Sequence, residues 1–551
     1  MGNSVVEAEQ GRNSSPDNQT TLDEKEQERL GRQRPEVFSN TLQEVGFCAS
    51  VLLSVQHNGS TSTFQSKFHV LLCGELNTHL QEFLISGFNV LLPNLISDLH
   101  FSANDKTWPS SVFSLVAGGF LLPFGRLTDM YGGFPMFLAG NAWMAAWSLI
   151  GGFSRSYIML VVCRALQGLG AAAFLPSGIS LLGSVYRPDR RKNIVFSLYG
   201  GCAPFGFFSG IFIAGVSGQF LSWSWFFWIG CILLTFVCIL TFFCVPRQIH
   251  QARMPIDWWG CATSIPGLML LVYAITDSPH VPKGWASPQI LVTFIAGMMF
   301  LGAFVTYKVG FQQRRFFLPS CLPPSIQLRC SVVSLLLLGR LESIFSTPVS
   351  SNIETILHIP PLLAAAWFAP LAIGGVIIAI VGGAVLHKLS GTILLLLSVT
   401  GMLVSSLLFI LIPESPNYWA WVFPAMICAT IGIDIMYNVS NIFITTSVRI
   451  DQQGIAGACV NGLLSLGISF FLGWADLAAA QASPNNLKEG YKIAFIMGAA
   501  CAGAAILIIV AGIRIDKAKG DLTADEREQL QSEAVGSAPS ETPVANPGKS
   551  S

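Results

Sequence analysis

Between residues 78 and 513 the chain is a succession of apolar runs separated by short polar connections. Each run is about 20 residues long, enough for a helix rising 1.5 Å per residue to cross the ~30 Å hydrocarbon core of a bilayer. Few folds are open to such a chain. In lipid every backbone N–H and C=O must find a partner inside the spanning element, so only helices and closed barrels cross, and long runs without period-two alternation select helices. The run cores fall at 78–97, 109–127, 134–153, 157–184, 194–220, 224–245, 258–276, 288–308, 331–351, 364–386, 391–413, 418–447, 455–479 and 491–513, about fourteen in all. The expected fold is an all-α integral membrane protein.

Charge content supports this and excludes other classes. Charged residues make up 11% of 551, where a soluble domain carries about 25%. Lys plus Arg equal Asp plus Glu at 31 each, leaving no basic footprint for nucleic acid. The 13 cysteines form no CxxC pair and the 8 histidines no HExxH, so no metal or disulfide framework is expected. Gly548-Lys549-Ser550 has Pro543 where a phosphate loop needs its first glycine, so ATP binding is not expected. With no nucleophile, base and metal together, the chain is not expected to be an enzyme, and no cofactor is expected.

The polar ends, 1–67 and 514–551, read as solvated tails. An even number of spans places both termini on one side. Lys and Arg are concentrated in the even-numbered connections, for example Arg187, Arg190, Arg191 and Lys192, while the odd-numbered ones hold few, such as Lys106 and Lys283. The positive-inside rule then makes both termini cytoplasmic, and the sequons at Asn13, Asn18 and Asn58 stay unmodified. Gly46 to Val55 is apolar but too short to cross, and polar residues follow it before the first run. An interfacial segment explains this; an insertion near 56–75 is the alternative. With the first span beginning near 78, His79 and Glu82 would lie at the cytoplasmic headgroups. Trp223, Trp225, Trp228, Trp258, Trp259 and Trp419 stand near span ends, where tryptophan anchors helices.

Two stretches carry charge at informative places. Gly125-Arg-Leu-Thr-Asp-Met-Tyr-Gly132 is a glycine-bounded turn bearing Arg126 and Asp129 between the second and third runs, and Arg164-Ala-Leu-Gln-Gly-Leu-Gly-Ala-Ala172 puts a guanidinium inside the fourth. Both resemble signatures of the major facilitator superfamily. Asn89-Val-Leu-Leu-Pro93 and Ile256-Asp-Trp-Trp-Gly260 are similar to motifs of its fourteen-helix drug:proton antiporters. Ser86 to Pro93 and Phe196-Ser-Leu-Tyr-Gly200 resemble the fungal branch of aminotriazole and boron exporters and a low-affinity ammonium facilitator. The resemblance implies two six-helix bundles, 68–246 and 311–513, flanking a two-helix central insert at 247–310. The chain departs from the pattern at Met130, Gly133 and Phe134, where basic residues are usual, and at Leu84, where the first-helix acid belongs. The fifth-helix antiporter signature appears as Gly206, Gly210, Ile211, Ala214 and Gly215 without its proline, although Pro204 is near.

The residues themselves nominate a pathway. Arg164 and Gln167, three apart, share a helical face, and an intramembrane arginine is costly enough to demand either a role or a brace through carbonyl bonds. In the twelfth run Asp434, Asn438, Asn441 and Thr445 recur at spacings of 4, 3 and 4, aligning four polar side chains on one face. They line either a cavity or a helix contact, with Asp434 the candidate proton carrier. Arg340 and Glu342 in the ninth run, two apart, point in different directions and need partners elsewhere. Glu82 and Asn89 complete the candidate cavity, Gly125, Arg126, Asp129 and Gly132 the cytoplasmic gating turn, and Gly206, Gly210 and Gly215 a close-packed face of the fifth helix.

The expectation is a secondary transporter, driven by the proton gradient, that moves a small molecule outward. Its partners would be substrate, protons and lipid, and the protein a monomer in the plasma membrane, with the vacuolar membrane as the alternative. An uptake facilitator for ammonium or another small polar solute is the second reading. A non-transporting sensor on a transporter scaffold is a third, of another class.

Overall fold

The computed structural model describes residues 62–101, 107–185, 190–244, 257–279, 281, 283–310, 349, 359, 361–385, 389–413, 416–447, 453–482 and 487–512. In chain order the helices are α1 (Ser62–Leu99), α2 (Thr107–Tyr131), α3 (Gly133–Gly151), α4 (Tyr157–Val185), α5 (Arg190–Phe220), α6 (Ser224–Cys244), α7 (Trp258–Asp277) and α8 (Pro288–Gly310). There follow a short α9 (Pro361–Trp367), then α10 (Ala369–Val385), α11 (Gly391–Ile410), α12 (Phe423–Ser447), α13 (Gln453–Ala482) and α14 (Leu487–Gly512). Ten stretches of the described residues are long and apolar enough to cross a membrane. Both tails, the sequons, Arg340, Glu342 and all of the 331–351 run but residue 349 lie outside the described residues.

The helices begin and end where the local chemistry dictates. Gly132, at φ 92° and ψ 154°, breaks the chain between α2 and α3 in a conformation that a Cβ disfavours. Its N–H still closes on the Thr128 carbonyl at 2.8 Å. Asp257 starts α7 by accepting from the Gly260 N–H at 2.9 Å, the usual service of a carboxylate at a helix N-terminus. Interior prolines fall in α1, α2, α4, α5 and α7, each removing one intrahelical bond.

Helix α1 differs from its sequence reading. It is helical from Ser62, so the polar residues from there on are its first turns; Gly46 to Val55 and residues 56–61, on which the insertion alternative also rests, lie outside the described residues. His79 and Glu82 consequently pack against the middle of α5, not at its end. The Gly206 backbone lies on that of His79, the Gly210 backbone on that of Phe83, and Ser86 Oγ donates to the Phe207 carbonyl at 2.8 Å. Glycines at four-residue spacing let the two backbones approach this closely; Gly215, one turn further, is buried. Trp223 is also no lipid anchor. It is 7% exposed and its Nε1 donates to Asp98 at 3.0 Å, whereas Trp258, Trp259 and Trp419 are open to the surroundings.

Helices α1 to α6 form one bundle, and α10 to α14 pack together as the described part of a second. Two seams join them: α2 runs along α13, and α5 along α10 and α12. The remaining pair, α7 and α8, forms a hairpin against α2 and α13. Trp108 at the start of α2 donates to Asp277 Oδ1 at 3.2 Å, and Tyr273 donates to Asp277 Oδ2 at 3.0 Å. Gln289 of α8 adds a hydrogen bond to the Tyr273 hydroxyl, and the Trp108 and Tyr273 rings lie 5.2 Å apart.

Candidate functional site

Arg164 on α4 is fully buried and its hydrogen bonds all stay within the first bundle. Nη1 donates to the Leu84 carbonyl of α1 and to Gln167 Oε1, each at 3.2 Å, and Nε reaches the Pro109 carbonyl of α2 at 3.4 Å. Gln167 is held in turn, its Nε2 donating to Ser148 Oγ of α3 at 3.0 Å. The rings of Phe88 and Phe113 cover the guanidinium carbon at 4.3 and 4.8 Å, a cation–π sandwich that offsets part of the desolvation. Arg164 has no carboxylate partner among the described residues. Asp434, the candidate proton carrier, lies elsewhere, on α12 beside Gly375. Asn89 is buried on α1 beside Phe88.

The stretch bearing Arg126 and Asp129, expected as a turn between two helices, is instead helical to Tyr131 and forms the last two turns of α2, with the break only at Gly132; it connects the halves. Asp129 is 2% exposed; its Oδ1 accepts from the Gly454 N–H at 2.7 Å and its Oδ2 from the Ile455 N–H at 3.1 Å. These are the first free N–H groups of α13, so the carboxylate caps that helix and meets the positive end of its dipole. Approach this close requires small residues: Gly125 has no space for a side chain beside Ala458, and a Cβ there would stand 2.8 Å from the Gly454 carbonyl oxygen. Arg126 is buried next to this contact, at 1% exposure.

The polar stripe of α12 faces the other seam. Asp434, Asn438 and Asn441 are each at most 2% exposed; the surroundings of the Thr445 side chain lie outside the described residues. Asn438 presses on α5 at Gly200, where a Cβ would sit 2.8 Å from its Cγ and 2.9 Å from its Nδ2. One turn away, Asp434 lies beside Gly375 of α10, whose missing Cβ would be 3.1 Å from Asp434 Oδ2 and 2.5 Å from Pro204 Cγ. Asp434 and Asn438 thus bracket the turn of α5 from Gly200 to Pro204.

Three residues that the sequence reading passed over belong to this cluster. The backbone carbonyl of Tyr437 accepts from Asn441 Nδ2 at 3.0 Å, the ring stacks on that of Tyr199 of α5 at 6.3 Å, and the hydroxyl donates to Asn461 Oδ1 of α13 at 3.3 Å. Glu82 of α1 lies near enough for its charge to act on the Tyr437 phenol. Tyr437 sits three residues after Asp434 and four before Asn441, on the same face, so the stripe's own period marks it once aromatic hydroxyls are counted as polar. Tyr199 and Asn461 stand singly in apolar runs and give no such signal.

Comparison with known proteins agrees with this architecture. The model of the Major Facilitator Superfamily matches residues 76–472. A Saccharomyces cerevisiae protein named low affinity ammonium transporter is 31% identical over 74% of this chain and 80% of its own length. The Aspergillus terreus efflux pump terJ is 30% identical over 73% and 79%, and the Saccharomyces cerevisiae aminotriazole resistance protein 29% over 75% and 78%. Among solved structures, the human organic anion transporter MFSD10 (TETRAN) superposes with a TM-score of 0.58 over 80% of this chain and 99% of its own, at 12% identity. The proton:xylose symporter XylE does so with 0.58 over 85% and 100%, at 13%. A helical chain with ten membrane-length apolar stretches among its described residues, two bundles joined along two seams and a family match over most of its length is a multi-pass membrane transporter of the major facilitator superfamily.

Proposed function

We propose that the protein is a proton-coupled exporter of a small molecule, with Asp434 as the group that takes and releases the proton. The observation that carries this reading is the placement of Asp434: a carboxylate buried in a spanning helix, on the seam between the halves, among neutral polar side chains. Rocking of one bundle against the other about a midplane site is the general means of alternating access. A group on the seam changes its surroundings in that motion, which is what a coupling group requires. Substrate and proton then exchange at the same place, and each charge crossing the field contributes roughly 2.3 kcal/mol per 100 mV.

The other residues have supporting parts in this scheme. Arg164 and Gln167 hold α1, α2 and α4 as one wall, Asn438 and Asn441 offer hydrogen bonds to the solute, and Glu82 adds negative field at Tyr437. The Asp129 contact closes the end that the positive-inside rule assigns to the cytoplasm, with both termini on that side, and the plasma membrane is the assigned location. Relatives named efflux pump and multidrug transporter support the outward direction.

Flux in proteoliposomes, measured across a panel of organic cations and weak acids with and without an imposed pH gradient, tests the reading. Gradient-dependent export that Asp434→Asn renders insensitive to pH supports it; full, equally pH-dependent flux in that variant overturns it. A second reading, uptake of ammonium, is favoured by the relative named low affinity ammonium transporter. The same vesicles distinguish it by accumulating methylammonium down its own gradient without a pH requirement.

A further inference from the structure

We propose that α9 is a flap on the face of the membrane opposite the Asp129 contact. It belongs to the second half by sequence but stays seated on α5 of the first, and that face opens between α9 and the start of α12. The latch is the hydrogen bond from the Tyr418 hydroxyl to the Trp367 carbonyl. The inference needs two halves that rock; it depends neither on the solute nor on the proton.

The placement follows from chain direction. α12 runs toward the start of α13, where Asp129 is bound, so Tyr418, ahead of α12, and its partner Trp367 stand at the far face. Pro370 breaks the span that contains them. It has no N–H to give, and the chain leaves the helix at Phe368, between α9 and α10. The Leu371 N–H, which in an unbroken helix would reach the Trp367 carbonyl, closes on the Phe368 carbonyl at 3.0 Å. The Trp367 carbonyl accepts instead from the Tyr418 hydroxyl at 3.3 Å, and the two rings lie 5.2 Å apart. A carbonyl released inside a membrane needs such a donor. Tyr418 also opens a wide turn, Tyr418–Val422, in which the Phe423 N–H donates to the Tyr418 carbonyl; turns of this kind are frequent at functional sites.

Packing divides the flap from its own bundle. Among the described helices α9 lies mainly against α5. Ala364 and Ala365 are buried, as is Phe368, whose ring meets that of Phe207 on α5 at 5.8 Å. Toward the start of α12 the described contact is Tyr418 on Trp367. A single neutral hydrogen bond contributes little beside an apolar seat, so rocking parts the weaker contact first. Closure motions are absorbed by a few residues at the ends of elements, and Phe368 ahead of Pro370 is such a place. The parting line therefore runs inside the second half, leaving α9 on α5.

The test is the distribution of distances between spin labels on paired cysteines in the full chain, in nanodiscs, read by pulsed electron resonance. Leu363 on α9, Phe220 at the end of α5 and Leu411 at the end of α11 are exposed and take the labels. Leu411 reports the second half. The Leu363–Phe220 pair should give one distance and the Leu363–Leu411 pair two, closed and open. Tyr418→Phe keeps the ring and removes the donor; it should raise the open population relative to the closed about fivefold and leave the Leu363–Phe220 distance unchanged. Pro370→Ala restores the N–H and mends the hinge, so α9 should move with α10 and the Leu363–Phe220 distance should split in two. Two Leu363–Phe220 distances in the unaltered protein would mean that the flap leaves α5, and a Leu363–Leu411 distribution that Tyr418→Phe does not move would mean that the bond is no latch; either result overturns the proposal. A folded Pro370→Ala protein with one Leu363–Phe220 distance overturns it as well. Should that variant not fold, the Tyr418→Phe measurements decide alone.

Discussion

Arg164 and Asp434 are both buried ionisable groups in membrane-spanning helices, and the structure treats them in opposite ways. Arg164 is enclosed within one bundle, with carbonyls from α1 and α2, an amide on its own helix and two aromatic rings around it. Asp434 stands near where the bundles meet, beside Gly375 of its own half, whose backbone packs on Pro204 of the opposite half. A charge whose partners all move with it has the same environment in every conformation and serves to hold its bundle together. A charge placed on the seam has its surroundings changed when the halves rock, and that difference is what coupling requires. Depth in the membrane does not separate a brace from a switch; position relative to the seam does.

Four substitutions probe this contrast. Arg164→Ala should have the largest effect, because it strips a donor from two backbone carbonyls and from Gln167; a loss of about 3 kcal/mol of stability is expected. It would be read as a lower unfolding temperature in detergent. An Arg164→Ala protein as stable as the original yet inactive would make Arg164 a participant in transport and break the comparison. Asp434→Asn should do the reverse, leaving unfolding within about 1 kcal/mol of the original while cutting gradient-driven flux about 30-fold, the size of a strong coupling energy. Asp129→Asn keeps an acceptor at the start of α13 but removes the charge facing its dipole, worth about 1 kcal/mol. The corresponding fivefold shift toward separation of α2 and α13 would show as faster labelling of a cysteine placed at Ala458. Gln167→Leu is the mildest, at about 0.5–1 kcal/mol of stability, because Arg164 keeps both carbonyls. A larger loss than that of Arg164→Ala would mean that the amide, and not the guanidinium, organises the bundle.

How much of this was legible beforehand depends on whether a feature is local or tertiary. Apolar run length and helical period are local, and they located ten spanning stretches among the described residues and aligned Asp434, Asn438 and Asn441 on one face. What that face met was not local: Gly200 and Pro204 are 234 residues or so away in sequence, and nothing in the α5 run announces that its broken turn is the counterpart. The same limit explains His79 and Glu82. A hydropathy boundary near 78 marks where apolar residues begin, whereas α1 starts at Ser62, since hydrogen bonds extend a helix through polar residues. Trp223 was misplaced because proximity to a span end says nothing about whether a carboxylate such as Asp98 is within reach. Gly125 and Gly132 suggest a turn around Arg126 and Asp129, yet only Gly132 breaks the helix, and the partner of Asp129 is a helix start more than 300 residues on, which only packing could identify.

The central hairpin has a mechanical consequence of its own. Its polar attachments, Asp277 to Trp108 and Tyr273 to the same carboxylate, fasten it to α2, while against α13 it rests through Thr276 and Ile275 on the bare backbone of Gly473. One side is a rivet and the other a bearing. A tilt of the bundles would carry the hairpin with the first, since its polar attachments lie there, and would shift it across Gly473 of the second. A bulky residue at 473 is then expected to slow transport while leaving every binding group in place.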